Sequence, residues 1–142
     1  MKYEGGRDIA RIMGEILASL VRERGFLTAE VLVPIPLHLG SERDFNQALA
    51  MAKGAARIWG IPVADVLFWS GNLPRQAMTP ARADRILPRG AIAMRRGLPP
   101  ETKVLLVDDV YTTGSTMNAA KKALEAGGLI VTGAMVWSRS RG

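Results

Sequence analysis

Between Val104 and Trp137 the chain spells out one complete supersecondary unit. Val104-Leu105-Leu106-Val107 is an unbroken run of branched aliphatic residues, as expected for a strand covered on both faces. Asp108 to Ser115 reads as a polar turn. From Thr116 to Ala126, Met117, Ala120, Ala123 and Leu124 recur on one helical face, and Gly127-Gly128 supplies a stop signal. Leu129 to Trp137 is strand-like again. Strand, turn, helix, strand is a βαβ unit, which joins two parallel strands by a right-handed crossover.

The preceding residues extend this pattern. Ile9, Ile12, Met13, Ile16, Leu17, Leu20 and Val21 fall at three- and four-residue spacing within 7–23, an amphipathic helix that stops near Gly25. Val31-Leu32-Val33 is a short buried strand that ends in the loop Pro34-Ile35-Pro36. A second helix starts around Asn46 and runs through Leu49, Ala52, Ala55, Ala56 and Trp59 to Gly60. Val63 to Trp69 and Ala91 to Met94 are further strand candidates, and Ser70 to Gly90 between them reads as a mobile excursion. The expected architecture is a single α/β domain over 1–142, a parallel sheet flanked by helices. No internal repeat or linker divides it.

Composition narrows the chemistry. The 142 residues contain no cysteine, which removes disulfides, thiol catalysis, iron–sulfur clusters and Cys-ligated zinc. A single histidine, His38, rules out a metal-binding His pair, and with the sequence pattern offers no Ser-His-Asp set. No apolar run approaches the roughly 18 residues of a membrane span, and no signal peptide opens the chain. These features fit a cytoplasmic protein that does not engage membranes. Net charge is +6, dominated by fourteen Arg to five Lys. The planar guanidinium fork suits phosphate and carboxylate oxygens. Six arginines between Arg75 and Arg96, against Asp84 alone, form the strongest basic patch, readable as a solvated loop, a pyrophosphate trap or a nucleic-acid track.

The turn after Val107 carries the chemistry. In an open α/β sheet, ligands sit at the carboxyl ends of strands. There Thr112, Thr113, Ser115 and Thr116 offer four hydroxyls, Gly114 permits a tight backbone approach, and the following helix directs its N–H groups at the same spot. That is a phosphate cradle. Asp108 and Asp109 just upstream would repel a phosphate. They suit vicinal hydroxyls or a divalent cation. A ligand with a phosphate at one end and a diol one sugar away is a ribose 5-phosphate. A strand-ending turn followed by a helix cap is the plainer alternative. Neither Gly-x-x-x-x-Gly-Lys-Ser/Thr nor Gly-x-Gly-x-x-Gly is present.

Val104 to Thr116 resembles the phosphoribosyl pyrophosphate (PRPP) signature of type I phosphoribosyltransferases. Lys2-Tyr3-Glu4-Gly5, Val33-Pro34-Ile35-Pro36-Leu37-His38, Arg43-Asp44-Phe45-Asn46-Gln47, and Gln76 followed by Arg82 and Arg85 are similar, in the same order, to landmarks of the ComF family. The resemblance covers nearly the whole chain and implies a Rossmann-like parallel sheet with a flexible loop. It implies that Asp108 and Asp109 hold the ribose hydroxyls, and a Mg²⁺ directly or through PRPP and water. Thr112, Thr113, Gly114, Ser115 and Thr116 would bind the 5-phosphate, and Leu37 and His38 would face the pyrophosphate. Arg43 would be the cation on that leaving group, with Gln76, Arg82 and Arg85 on the flexible loop. The sequence departs from the family pattern in the short stretch from His38 to Arg43, at Asp44 and Pro88, and in lacking the Cys-rich zinc module that often precedes the domain.

The activity so implied is Mg²⁺-dependent transfer of a 5-phosphoribosyl group (a pentosyl transfer) to an unidentified, nucleobase-like acceptor, with Asp108, Asp109 and Arg43 as catalytic residues. The alternative is a non-catalytic, PRPP-responsive or single-stranded-DNA-handling component of natural competence. Partners would then be DNA or competence-machinery proteins, and a homodimer is compatible with either. Tyr111 is expected to shield or pack within the turn, and Trp59, Trp69 and Trp137 to be core or rim. Trp69 with Arg75 is a minor candidate for a base-stacking platform.

Overall fold

A computed structural model of the chain describes residues 2–24, 28–37, 45–70, 87, 90–95, 97–111 and 113–139. Helix α1 (Lys2–Arg24) leads to strand β1 (Val31–Pro34) and helix α2 (Gln47–Trp59). Strands β2 (Leu67–Trp69), β3 (Ile92–Met94) and β4 (Lys103–Tyr111) follow, then helix α3 (Ser115–Ala126) and strand β5 (Ile130–Arg139). β1, β4 and β5 form a parallel sheet with β4 in the middle. Val63 adds a parallel bridge to Leu32 on the outer side of β1. The α/β parallel architecture is the one expected.

Strand alternation distributes the sheet's side chains between two cores. Val31, Val33, Ile35, Val104 and Leu106 face α3 and the β2–β3 ribbon, packing with Leu67, Ile92, Ala120, Leu124 and Leu129. Leu32, Val107 and Met135 face α1 and α2, packing with Ala10, Ala18, Met51, Ala52 and Ala55. The central strand is therefore buried on both sides, as its aliphatic run demands.

Three elements differ from the sequence expectation. β4 does not end at Val107. It continues through Asp108 and Asp109 to Tyr111, because β5 runs on to Arg139 and keeps pairing with it. The segment 63–69 is divided: Val63 joins the parallel sheet, whereas Leu67–Trp69 pairs antiparallel with Ile92–Met94 in a separate ribbon. Most of the Ser70–Gly90 excursion lies outside the described residues.

The third difference is in α1. Its large aliphatic residues Ile9, Ile12, Ile16 and Leu20 stand outward, with Ile9 62% exposed, while Ala10, Gly14 and Ala18 form the inner face. The cause is how closely α2 approaches. A methyl group on Gly14 would collide with the backbone carbonyl of Met51, and one on Gly54 with that of Arg11. Only small residues permit backbones to touch in this way. The Trp59 indole N–H closes the far end of the seam, donating to the Ala18 carbonyl at 2.9 Å.

Candidate functional site at the carboxyl end of the sheet

β1 and β4 run towards the same edge, β1 ending opposite Val107 and β4 continuing to Tyr111. Pro34 lies opposite Val107 in register, and Ile35 N donates to Val107 O at 2.9 Å. The loop carrying Leu37 consequently leaves the sheet beside the strand that carries Asp108 and Asp109. Asn46 anchors this exit from both directions. Its Nδ2 donates to Ile35 O at 3.0 Å, while its Oδ1 accepts from Ala48 N at 3.0 Å and Leu49 N at 3.3 Å as the cap of α2. From the ribbon, the Trp69 indole N–H reaches Pro36 O at 3.4 Å.

On β4 the pleat sends Asp108 to the face of Val104 and Leu106, and Asp109 to the face of Leu105 and Val107. Both are half-buried. One carboxylate oxygen of Asp108, Oδ1, accepts from Asp109 N at 2.9 Å, which braces the side chain against its own strand. The two acids thus flank the strand tip from either side.

The chain then turns into α3. Gly114 is the N-cap with φ 87°, a left-handed conformation that glycine adopts without a Cβ penalty. A methyl group on Gly114 would also strike the Tyr111 hydroxyl, so the ring packs within the turn as expected. Thr113 Oγ1 and Ser115 Oγ lie 3.0 Å apart, and Ser115 N points to Thr113 Oγ1 at 3.4 Å. Asn118 N donates to Gly114 O at 2.8 Å, starting the helical ladder. Hydroxyls and the positive end of the helix dipole converge on one place, an arrangement that favours an anion.

The structure brings together Leu37, Asp108, Asp109, Thr113, Gly114, Ser115 and Thr116 at this edge. Thr112, His38, Arg43, Gln76, Arg82 and Arg85 lie outside the described residues. So do Asp44, Arg75 and Pro88. Sequence reasoning missed the double anchoring by Asn46, although Asn ahead of a periodic apolar run is a known cap signal. It also missed Arg139, whose guanidinium lies 5.7 Å from the centre of the Tyr111 ring. No local pattern marks a contact between residues that far apart in the chain.

Among solved structures, adenine phosphoribosyltransferase from Saccharomyces cerevisiae, complexed with an imino-altritol bisphosphate and adenine, matches with a TM-score of 0.59. The match covers 91% of this chain and 66% of that one at 14% identity, so the likeness is one of fold. The fold is that of the type I phosphoribosyltransferases. No family model matches the sequence. Competence protein ComFC of Streptococcus pneumoniae is 31% identical over 98 residues, 69% of this chain and 42% of that protein. Orotate phosphoribosyltransferase of Novosphingobium aromaticivorans is 47% identical over 58 residues, 39% of this chain and 30% of the enzyme. In sequence the chain is similar to the ComF competence proteins. It spans less than half the length of either relative.

Proposed function

We propose that the chain binds PRPP at the carboxyl edge of β4 and transfers its 5-phosphoribosyl group to a nucleobase-like acceptor, releasing pyrophosphate. One observation carries this reading: an anion cradle at Thr113–Thr116 follows directly on two half-buried acids that flank the strand tip. The cradle suits the 5-phosphate, and Asp108 and Asp109 suit the ribose hydroxyls as hydrogen-bond acceptors. In this reading the protein contributes mainly by positioning. The anomeric carbon passes through an oxocarbenium-like state as its bond to pyrophosphate breaks. Arg43 and the loop arginines would stabilise the leaving group, and exclusion of water would protect the reactive sugar. The absence of cysteine is in keeping with work in a reducing cytoplasm.

Mg²⁺ fits this donor set as a shared ion. The described residues gather no group of three acids or histidines to hold a metal unaided. Because Asp108 and Asp109 stand on opposite sides of β4, one of these hard carboxylates, directly or through water, would hold an ion that takes its other ligands from diphosphate and water. When bound, it would neutralise charge on the departing pyrophosphate.

The test is calorimetric titration with Mg·PRPP alongside a pyrophosphate-release assay over a panel of bases. Asp108→Asn with Asp109→Asn should abolish PRPP binding without lowering the melting temperature, since neither side chain belongs to a core. Unchanged affinity in that double variant removes the site assignment. Similarity to a competence protein and the +6 charge support a second reading, a PRPP-responsive or single-strand DNA-handling component without turnover. Asp44 beside Arg43 supports it too, by setting an acid near an anionic leaving group. Micromolar PRPP binding without pyrophosphate release, plus DNA affinity that falls as salt rises, would select it.

A further inference from the structure

Tyr111 and Arg139 are register partners at the last rung of the β4–β5 ladder. The exposed guanidinium lies 5.7 Å from the ring centre, within cation–π range. The same ring fills the space where a side chain at Gly114 would project, with Tyr111 Cζ 2.9 Å from the position of a Cβ there. Gly114 sets the φ of 87° at which the loop becomes α3, and glycine's wide conformational range gives that turn no stiffness of its own. The stiffness must come from a neighbour. Tyr111 is the side chain in that place, and the Arg139 guanidinium lies over its ring.

We propose that Arg139 is a positioning residue for the phosphate cradle, acting through Tyr111 and not by touching the ligand. The inference rests on the reading of Thr113–Thr116 as an anion cradle and adds to it the element that holds the cradle in shape. Removing the cation frees the Tyr111 ring to rotate. Gly114 then loses its backstop, and the Thr113–Ser115 hydroxyl pair loses its fixed spacing.

A double-mutant cycle on the full chain tests this, with ribose 5-phosphate and Mg·PRPP as ligands. Arg139→Gln should weaken ribose 5-phosphate binding about two- to fivefold, the scale of an exposed cation–π contact. Arg139→Lys should restore most of the loss. Tyr111→Leu should cost at least as much, and adding Arg139→Gln to it should cost nothing more. In the absence of ligand, amide exchange at 113–117 should quicken in Arg139→Gln and return towards wild type in Arg139→Lys, with the melting temperature lowered by no more than a few degrees. Losses that multiply in the double variant would mean that Arg139 meets the ligand directly, and unchanged exchange would mean that it does not govern the loop; either overturns the proposal. If the wild type binds neither ligand, the cradle reading fails, while the exchange arms still decide the role of Arg139.

Discussion

The two faces of the sheet are packed on different principles. On the α3 face, Leu67, Ile92, Leu106, Leu124 and Leu129 interlock as side chains, and shape is negotiated between flexible groups. On the α1–α2 face the limiting contacts are backbone to backbone, with Gly14 on Met51 and Gly54 on Arg11. A side-chain core can relax around a change by shifting rotamers; a backbone seam can only separate. The tolerance of this protein to substitution should therefore differ by face, and in the opposite order from that suggested by residue size.

Gly14→Ala is the severest test of that contrast. Although Ala favours a helix by about 1 kcal/mol over Gly, the added methyl has only the Met51 carbonyl to displace. A loss of about 4 kcal/mol or more is expected in urea unfolding, a large share of a small domain's stability. A neutral or stabilising result would show that the helices can slide apart, and the contrast would fall. Leu124→Ala on the other face removes a fully buried side chain and should cost about 3 kcal/mol, partly recovered by collapse around the cavity. Finding it costlier than Gly14→Ala would reverse the ranking. Asn46→Ala is the mildest: the loss of one helix cap and the tie to Ile35 O should cost about 1 to 2 kcal/mol. It also sharpens the comparison, because Asn46 joins the seam helix to the strand exit. Ligand affinity should fall along with stability if Leu37's loop contributes to binding.

The βαβ unit was legible because its signals are local: an aliphatic run, a periodic helix, a glycine pair. The limits of α2 were legible for the same reason, from Asn46 and Gly60, which do serve as its caps. The candidate site residues could be named because acids, a glycine and hydroxyls fall within one short segment, and the structure sets Asp108, Asp109, Thr113, Gly114, Ser115 and Thr116 at the β4–α3 junction. What escaped depends on partners distant in sequence. The length of β4 past Val107 is set by how far β5 pairs with it, which Asp108, Asp109 and Tyr111 do not reveal. The inner face of α1 was obscured because hydrophobic periodicity gives weight to Ile and Leu, while close helix contact selects Gly and Ala. The separate β2–β3 ribbon likewise looks, strand by strand, like more of the same sheet.

One consequence follows from β4 lying between two partners. The strand that offers the acids and leads into the cradle is also the strand whose hydrogen bonds hold β1 and β5 together. Whatever occupies its tip draws on the ladder that must melt for the domain to come apart. Occupancy and cohesion are then thermodynamically linked, and a guest at that edge protects the whole chain in proportion to the logarithm of its concentration.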